Sequence, residues 1–110
     1  MPARAEVTLR VVGTLEARRL NRNYRARAYA PNVLSFAYGS GSGDVVLCHP
    51  VIAREAMQQR KSLRAHYAHL VVHGILHLRG HDHLRVRDAA RMERAEFRIL
   101  RRLGFADPYS

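Results

Sequence analysis

The run His73-Gly74-Ile75-Leu76-His77-Leu78-Arg79-Gly80-His81-Asp82-His83 constrains this chain more than any other feature, because its spacing H-x-x-x-H-x-x-G-x-x-H gathers three imidazoles from one short stretch. Residues four apart on a helix share a face, with Cβ atoms about 5–6 Å apart, so His73 and His77 can reach one ion. A glycine just beyond the last turn can adopt the left-handed conformation that ends a helix. Gly80 therefore lets the chain turn back and bring His83 to a third coordination position. Three protein ligands on a tetrahedral ion leave a fourth place open, which is the pattern of catalytic rather than structural sites. Zinc is the default ion for this donor set, although imidazoles also suit copper, nickel and iron.

In the zinc-protease pattern H-E-x-x-H, the residue after the first histidine is the glutamate that serves as general base, and here it is Gly74. A helical glycine costs about 1 kcal/mol relative to alanine, so a close approach by substrate or by a neighbouring strand is expected there. Asp82 either orients an imidazole or faces solvent. His66 and His69, on the same helical stretch, read as core or surface histidines rather than ligands, and His81 as an exposed one. Glu93 and Glu96 read as salt-bridging residues of a later helix that could approach the site in space.

The 110 residues make a single domain over 1–110, with one core of modest size. The chain has no apolar run long enough to span a bilayer and no leader at its start, so a cytoplasmic protein without a membrane partner is expected. The lone Cys48 lies in an apolar stretch and fits a buried small hydrophobe in a reducing compartment. A formal charge of +10, carried by eighteen arginines and Lys61 against nine acids, favours polyanions, with nucleic acid the leading partner class. Arginine also forks onto phosphate through two hydrogen bonds, as lysine does not.

Along the chain, Glu6 to Val12 alternates as a strand ending at Gly13, and Thr14 caps a basic helix from Leu15 to Arg25. Val33 to Tyr38 and Asp44 to Cys48 read as strands of a hairpin around the loop Gly39 to Gly43. Helices follow after Pro50, from Leu63 to about Arg79 with Ser62 as its cap, and from Val86 to Leu103 with Gly104 as its stop. Three strands and four helices in this order predict an α+β domain: a small mixed sheet packed with helices, its central helix carrying the three-histidine metal site.

Several blocks, in order, resemble the YbeY family of bacterial rRNA maturation factors. They are Glu6 to Val12, Leu20-Asn21 with Tyr24-Arg25, Asn32-Val33-Leu34-Ser35-Phe36, Gly43-Asp44-Val45-Val46, His69 through His83, Met92-Glu93, Leu103-Gly104-Phe105 and Asp107-Pro108-Tyr109. The resemblance implies a metal-dependent, single-strand-specific endoribonuclease. Its zinc ion would be held by His73, His77 and His83, and Arg25 would work on the substrate side, so that Arg25 and the three histidines, acting through the metal, form the catalytic set. It implies action at the 3′ end of small-subunit rRNA and in ribosome quality control, with the small ribosomal subunit and its assembly factors as partners. Two other readings share the motif: a non-catalytic ribosome-assembly factor with a structural zinc, and a metalloprotease. The family begins with a further strand and helix, so the chain is expected to be shortened at its amino end and to leave a sheet edge unpaired. Where the family carries Gly-Lys-Asp-like residues after Tyr-Arg, this chain has Ala26-Arg27-Ala28.

Overall fold

The computed structural model describes residues 4–81 and 85–109, so Asp82 and His83 lie outside the described residues. The elements are β1 (Val7–Val12), α1 (Thr14–Arg25), β2 (Val33–Gly39), β3 (Ser42–Cys48), α2 (His49–Gln58), α3 (Leu63–Leu78) and α4 (Val86–Arg102). Among the described residues they form the α+β arrangement that the periodicities predict, with a mixed sheet in the order β1-β3-β2. β1 runs parallel to β3, Leu9 opposite Val45, and β2 runs antiparallel to β3, Ser35 opposite Val45. Among the described residues β3 is thus paired on both sides, while β1 and β2 are the edges.

Alternation along β3 builds two cores at once. Val46 and Cys48 pack with Val12, Ala17, Leu34 and Val51 on the side of α1. Val45 and Leu47 pack with Ile52, Leu70 and Leu78 on the side of α3. Cys48 is the buried thiol its apolar setting predicts. The other flank of α3 presents Val72 and Leu76 to Met92, Ala95 and Leu100 of α4. Burying each of these large apolar side chains stabilises by about 1.5–3 kcal/mol, so α3 is fixed from both flanks. That rigidity positions the histidines.

Local signals set the ends of α3. Ser62 Oγ accepts from the Ala65 amide at 3.0 Å, the expected cap. At the other end Gly80 has φ +93°, its amide donates to the His77 carbonyl at 3.0 Å, and the His81 amide donates to Leu76 at 3.0 Å. This paired closure needs the left-handed residue that glycine supplies without a Cβ clash.

Three expectations shift. Thr14 is the first residue of α1, not its cap; Gly13 holds the cap position without a side-chain bond. Ser42 and Gly43 join β3, because the hairpin closes around Ser40 and Gly41 and extends the pairing to Gly39 opposite Ser42. α2 starts at His49, which places Pro50 in its first turn, where a missing amide costs nothing. Among the described residues no helix is long and apolar enough to cross a membrane.

Candidate metal centre in a basic groove

His73 and His77 stand one turn apart on α3 with their Nε2 atoms 3.1 Å from each other and ring planes at 75°. Two imidazole nitrogens bound 2.0–2.1 Å from one tetrahedral ion lie about 3.3 Å apart. The pair is therefore spaced as two ligands of a single ion. Both rings are half-buried and open onto a groove of about 860 Å³ whose walls include Arg25, Arg27, Arg54, Ser35 and His81. Among the described residues none of these three arginines forms an ion pair. Arg25 and two of the three predicted ligands thus share one cavity, while the third, His83, lies outside the described residues. His81 is half-buried on the groove wall rather than exposed, because the glycine closure of α3 turns it inward.

Behind His73, away from the groove, stands Glu96 of α4, fully buried. His73 Nδ1 donates to Glu96 Oε1 at 2.6 Å, and the Tyr109 hydroxyl donates to Oε2 at 2.5 Å. His69 Nε2 lies 3.4 Å from Oε2 and 3.2 Å from the Tyr109 oxygen. Burial alone would raise the carboxyl pKa, but hydrogen bonds from His69, His73 and Tyr109 outweigh it and hold Glu96 at about 2. Burial and the same carboxylate push the Tyr109 hydroxyl up, so it stays protonated and donates. His69, His73 and Glu96 also form a group whose ligand atoms lie within 4.8 Å of one another and could hold an ion. A second arrangement is therefore present beside the His73/His77 pair.

Gly74 explains itself in the structure. A Cβ there would lie 2.7 Å from Val45 Cγ1 and 3.1 Å from Ser35 Oγ, and Ser35 Oγ donates to the Gly74 carbonyl at 3.0 Å. This is where α3 rests on the sheet, the neighbouring-strand approach anticipated from the sequence. A glutamate at 74 would meet β3 rather than act as a base in the groove. Among the described groove-lining residues the one carboxylate is Glu55, which accepts from Asn32 Nδ2 at 3.0 Å and pairs with buried His66 at 2.9 Å. His66 is thus the core histidine expected.

Of the two glutamates that the sequence let approach the site, Glu96 does so, whereas the parts of His69 and Tyr109 beside it were not foreseen. One signal was present: Met92, Glu96 and Leu100 recur at four-residue spacing, placing a carboxylate on the apolar stripe of α4. A buried acid of this kind needs donors.

The family model for the endoribonuclease YbeY matches residues 1–104. Among curated relatives, a protein of Bordetella avium called endoribonuclease YbeY is 54% identical over 110 residues, covering 96% of this chain and 68% of that protein. The protein of the same name from Bordetella pertussis is 55% identical over 112 residues, covering 97% and 71%. The solution structure of TM1509 from Thermotoga maritima shares the fold at TM-score 0.61 and 20% identity, over 97% of this chain and 79% of that one.

Proposed function

The chain belongs to the endoribonuclease YbeY family, and from that premise we propose that it is a metal-dependent endoribonuclease that cuts single-stranded RNA in the basic groove. The observation that carries the reading is the 3.1 Å separation of His73 Nε2 and His77 Nε2 at the mouth of that groove. His73 and His77 fit a divalent ion by spacing and donor type, and the family resemblance supplies His83 as the third ligand. Zinc is the ion this all-imidazole set favours. When bound, such an ion polarises a phosphoryl oxygen and activates water.

The protein's own side chains do the rest. Arg25, Arg27 and Arg54 hold the RNA backbone by salt-sensitive attraction that is indifferent to base sequence. The Arg25 guanidinium steadies the charge that develops on the scissile phosphate. Two-point contact by its planar fork orients that phosphate against the histidine pair. By the same resemblance the substrate is the 3′ end of small-subunit rRNA in the cytoplasm. The small subunit and its assembly factors are the partners, and ribosome quality control is the wider setting.

The test is cleavage of a small-subunit rRNA 3′ precursor by the purified chain assayed for metal. About one ion per chain is expected, with cleavage lost on chelation and in His77→Ala while RNA retention persists. Unchanged cleavage by His77→Ala would overturn the proposal. One observation favours a second reading, an assembly factor with a structural metal: Glu55, the carboxylate of the groove, is already engaged by Asn32 and His66. In that case the metal-loaded chain binds the RNA without cutting it, and metal removal unfolds the domain.

A further inference from the structure

We propose that Glu96 and Tyr109 are positioning residues for the metal: the buried Glu96 carboxylate, held by the Tyr109 hydroxyl, fixes the proton of His73 on Nδ1 and so presents Nε2 to the groove. The inference rests on the reading of His73 and His77 as ligands. It assigns a role to the end of the chain, far in sequence from the histidine motif.

An ionised carboxylate only accepts hydrogen bonds, so the 2.6 Å contact between Glu96 Oε1 and His73 Nδ1 requires the proton on Nδ1. The neutral ring then carries its lone pair on Nε2, the atom 3.1 Å from its counterpart on His77. A ligating imidazole whose far nitrogen donates to a carboxylate is both oriented and made more basic. Glu96 cannot drift from this task, because it is fully buried on α4 and its second oxygen is taken by Tyr109 at 2.5 Å.

Tyr109 is itself held. Its amide donates to Asp107 Oδ1 at 3.0 Å, and Lys61 Nζ donates to the Pro108 carbonyl at 3.0 Å. Its ring meets His69 edge-on, centroids 5.3 Å apart. Since the tyrosine proton goes to Glu96, the His69 Nε2 proton is shared between the phenol oxygen at 3.2 Å and Glu96 Oε2 at 3.4 Å. The hydrogen bonds run from His69 to Tyr109 to Glu96, met there by His73, and each polarises the next. The same bonds weigh against an ion within the group formed by His69, His73 and Glu96. Binding there would require removing the proton from His73 Nδ1 and displacing the tyrosine hydroxyl.

Tyr109→Phe removes one oxygen from a half-exposed ring and leaves the core intact, while Glu96→Gln keeps the shape and removes the charge. Two readouts are needed, both on folded protein checked by circular dichroism. The first is zinc affinity by competition with a chromophoric chelator. Glu96→Gln is expected to bind about 10–100-fold more weakly and Tyr109→Phe several-fold more weakly. The second is the imidazole nitrogen spectrum of His73 in metal-free protein, expected to show protonated Nδ1 in the parent and a mixture of tautomers in Glu96→Gln. A merely structural role would leave that mixture unpopulated. Parental affinity and a parental His73 spectrum in both variants would overturn the proposal. So would tighter binding by Tyr109→Phe, which would place the ion in the inner group. If Glu96→Gln fails to fold, Tyr109→Phe alone decides. A parent that binds no zinc refutes the metal reading itself and this inference with it, whereas a zinc-binding parent with indifferent variants refutes only the inference.

Discussion

Replacing Gly74 with alanine sets two well-calibrated effects against each other. Helix propensity predicts that alanine in the middle of α3 stabilises by about 1 kcal/mol. The structure predicts the opposite sign. The added methyl would sit 2.7 Å from Val45 Cγ1 and 3.1 Å from Ser35 Oγ, distances at which something must move. Val45 is completely buried on the central strand, and a β-branched side chain has little choice of rotamer, so it cannot yield cheaply. Overpacking of this kind costs about 1–3 kcal/mol. Displacing Ser35 also weakens its bond to the Gly74 carbonyl, a further loss of about 1 kcal/mol. After the propensity gain, a net destabilisation of about 1–3 kcal/mol remains, a fall in Tm of roughly 4–13 °C for a domain of this size. Urea and thermal unfolding at a fixed, saturating metal concentration measure it without a binding artefact. Ser35→Ala in the same background should return part of the loss, because the two sites touch. An alanine variant as stable as the parent, or more so, would refute the claim that α3 rests on the sheet at this residue.

Other consequences follow from single positions. Ala26 closes α1 with φ +55°, a left-handed conformation that costs a Cβ-bearing residue about 1–2 kcal/mol, so Ala26→Gly should raise stability by up to about 1 kcal/mol in urea unfolding. In metal-free protein Glu96 titrates at about 2 against an ordinary 4.5. The shift is a depression, so its stabilisation is present above about pH 4.5 and fades as pH falls towards 2. It amounts to about 3 kcal/mol, and the unfolding free energy of Glu96→Gln should be flatter across that window. Arg25→Ala should weaken RNA binding across unrelated sequences and reduce the slope of log affinity against log salt by about one, read by filter binding.

Much of this architecture was legible because it depends on local periods. The strand from Val7, four-residue spacing through α3, the Ser62 cap and the Gly80 stop each act within a few residues, and each appears where expected, although the apolar Leu9 and Val11 of that strand are exposed rather than turned alternately inward. The convergence of His73 and His77 follows from helix geometry alone. Less visible was what meets the motif from a distance. Glu96 lies 23 residues beyond His73 and the Tyr109 hydroxyl 13 beyond Glu96, and only tertiary packing of α4 on α3 brings them together. The inward turn of His81 depends in the same way on where the α3 closure directs the chain. Gly74 lay between these cases: its oddness in a helix was plain, but the identity of the strand residue it accommodates, Val45, required the sheet register.

Metal content and RNA cleavage of His77→Ala and His69→Ala, prepared side by side, decide whether the proposed ion lies in the groove on His73 and His77. With the ion there, His77→Ala loses both the metal and the cleavage, while His69→Ala keeps the metal with at most a modest loosening and still cuts. Metal retained by His77→Ala but lost from His69→Ala would instead place the ion with Glu96 behind the groove.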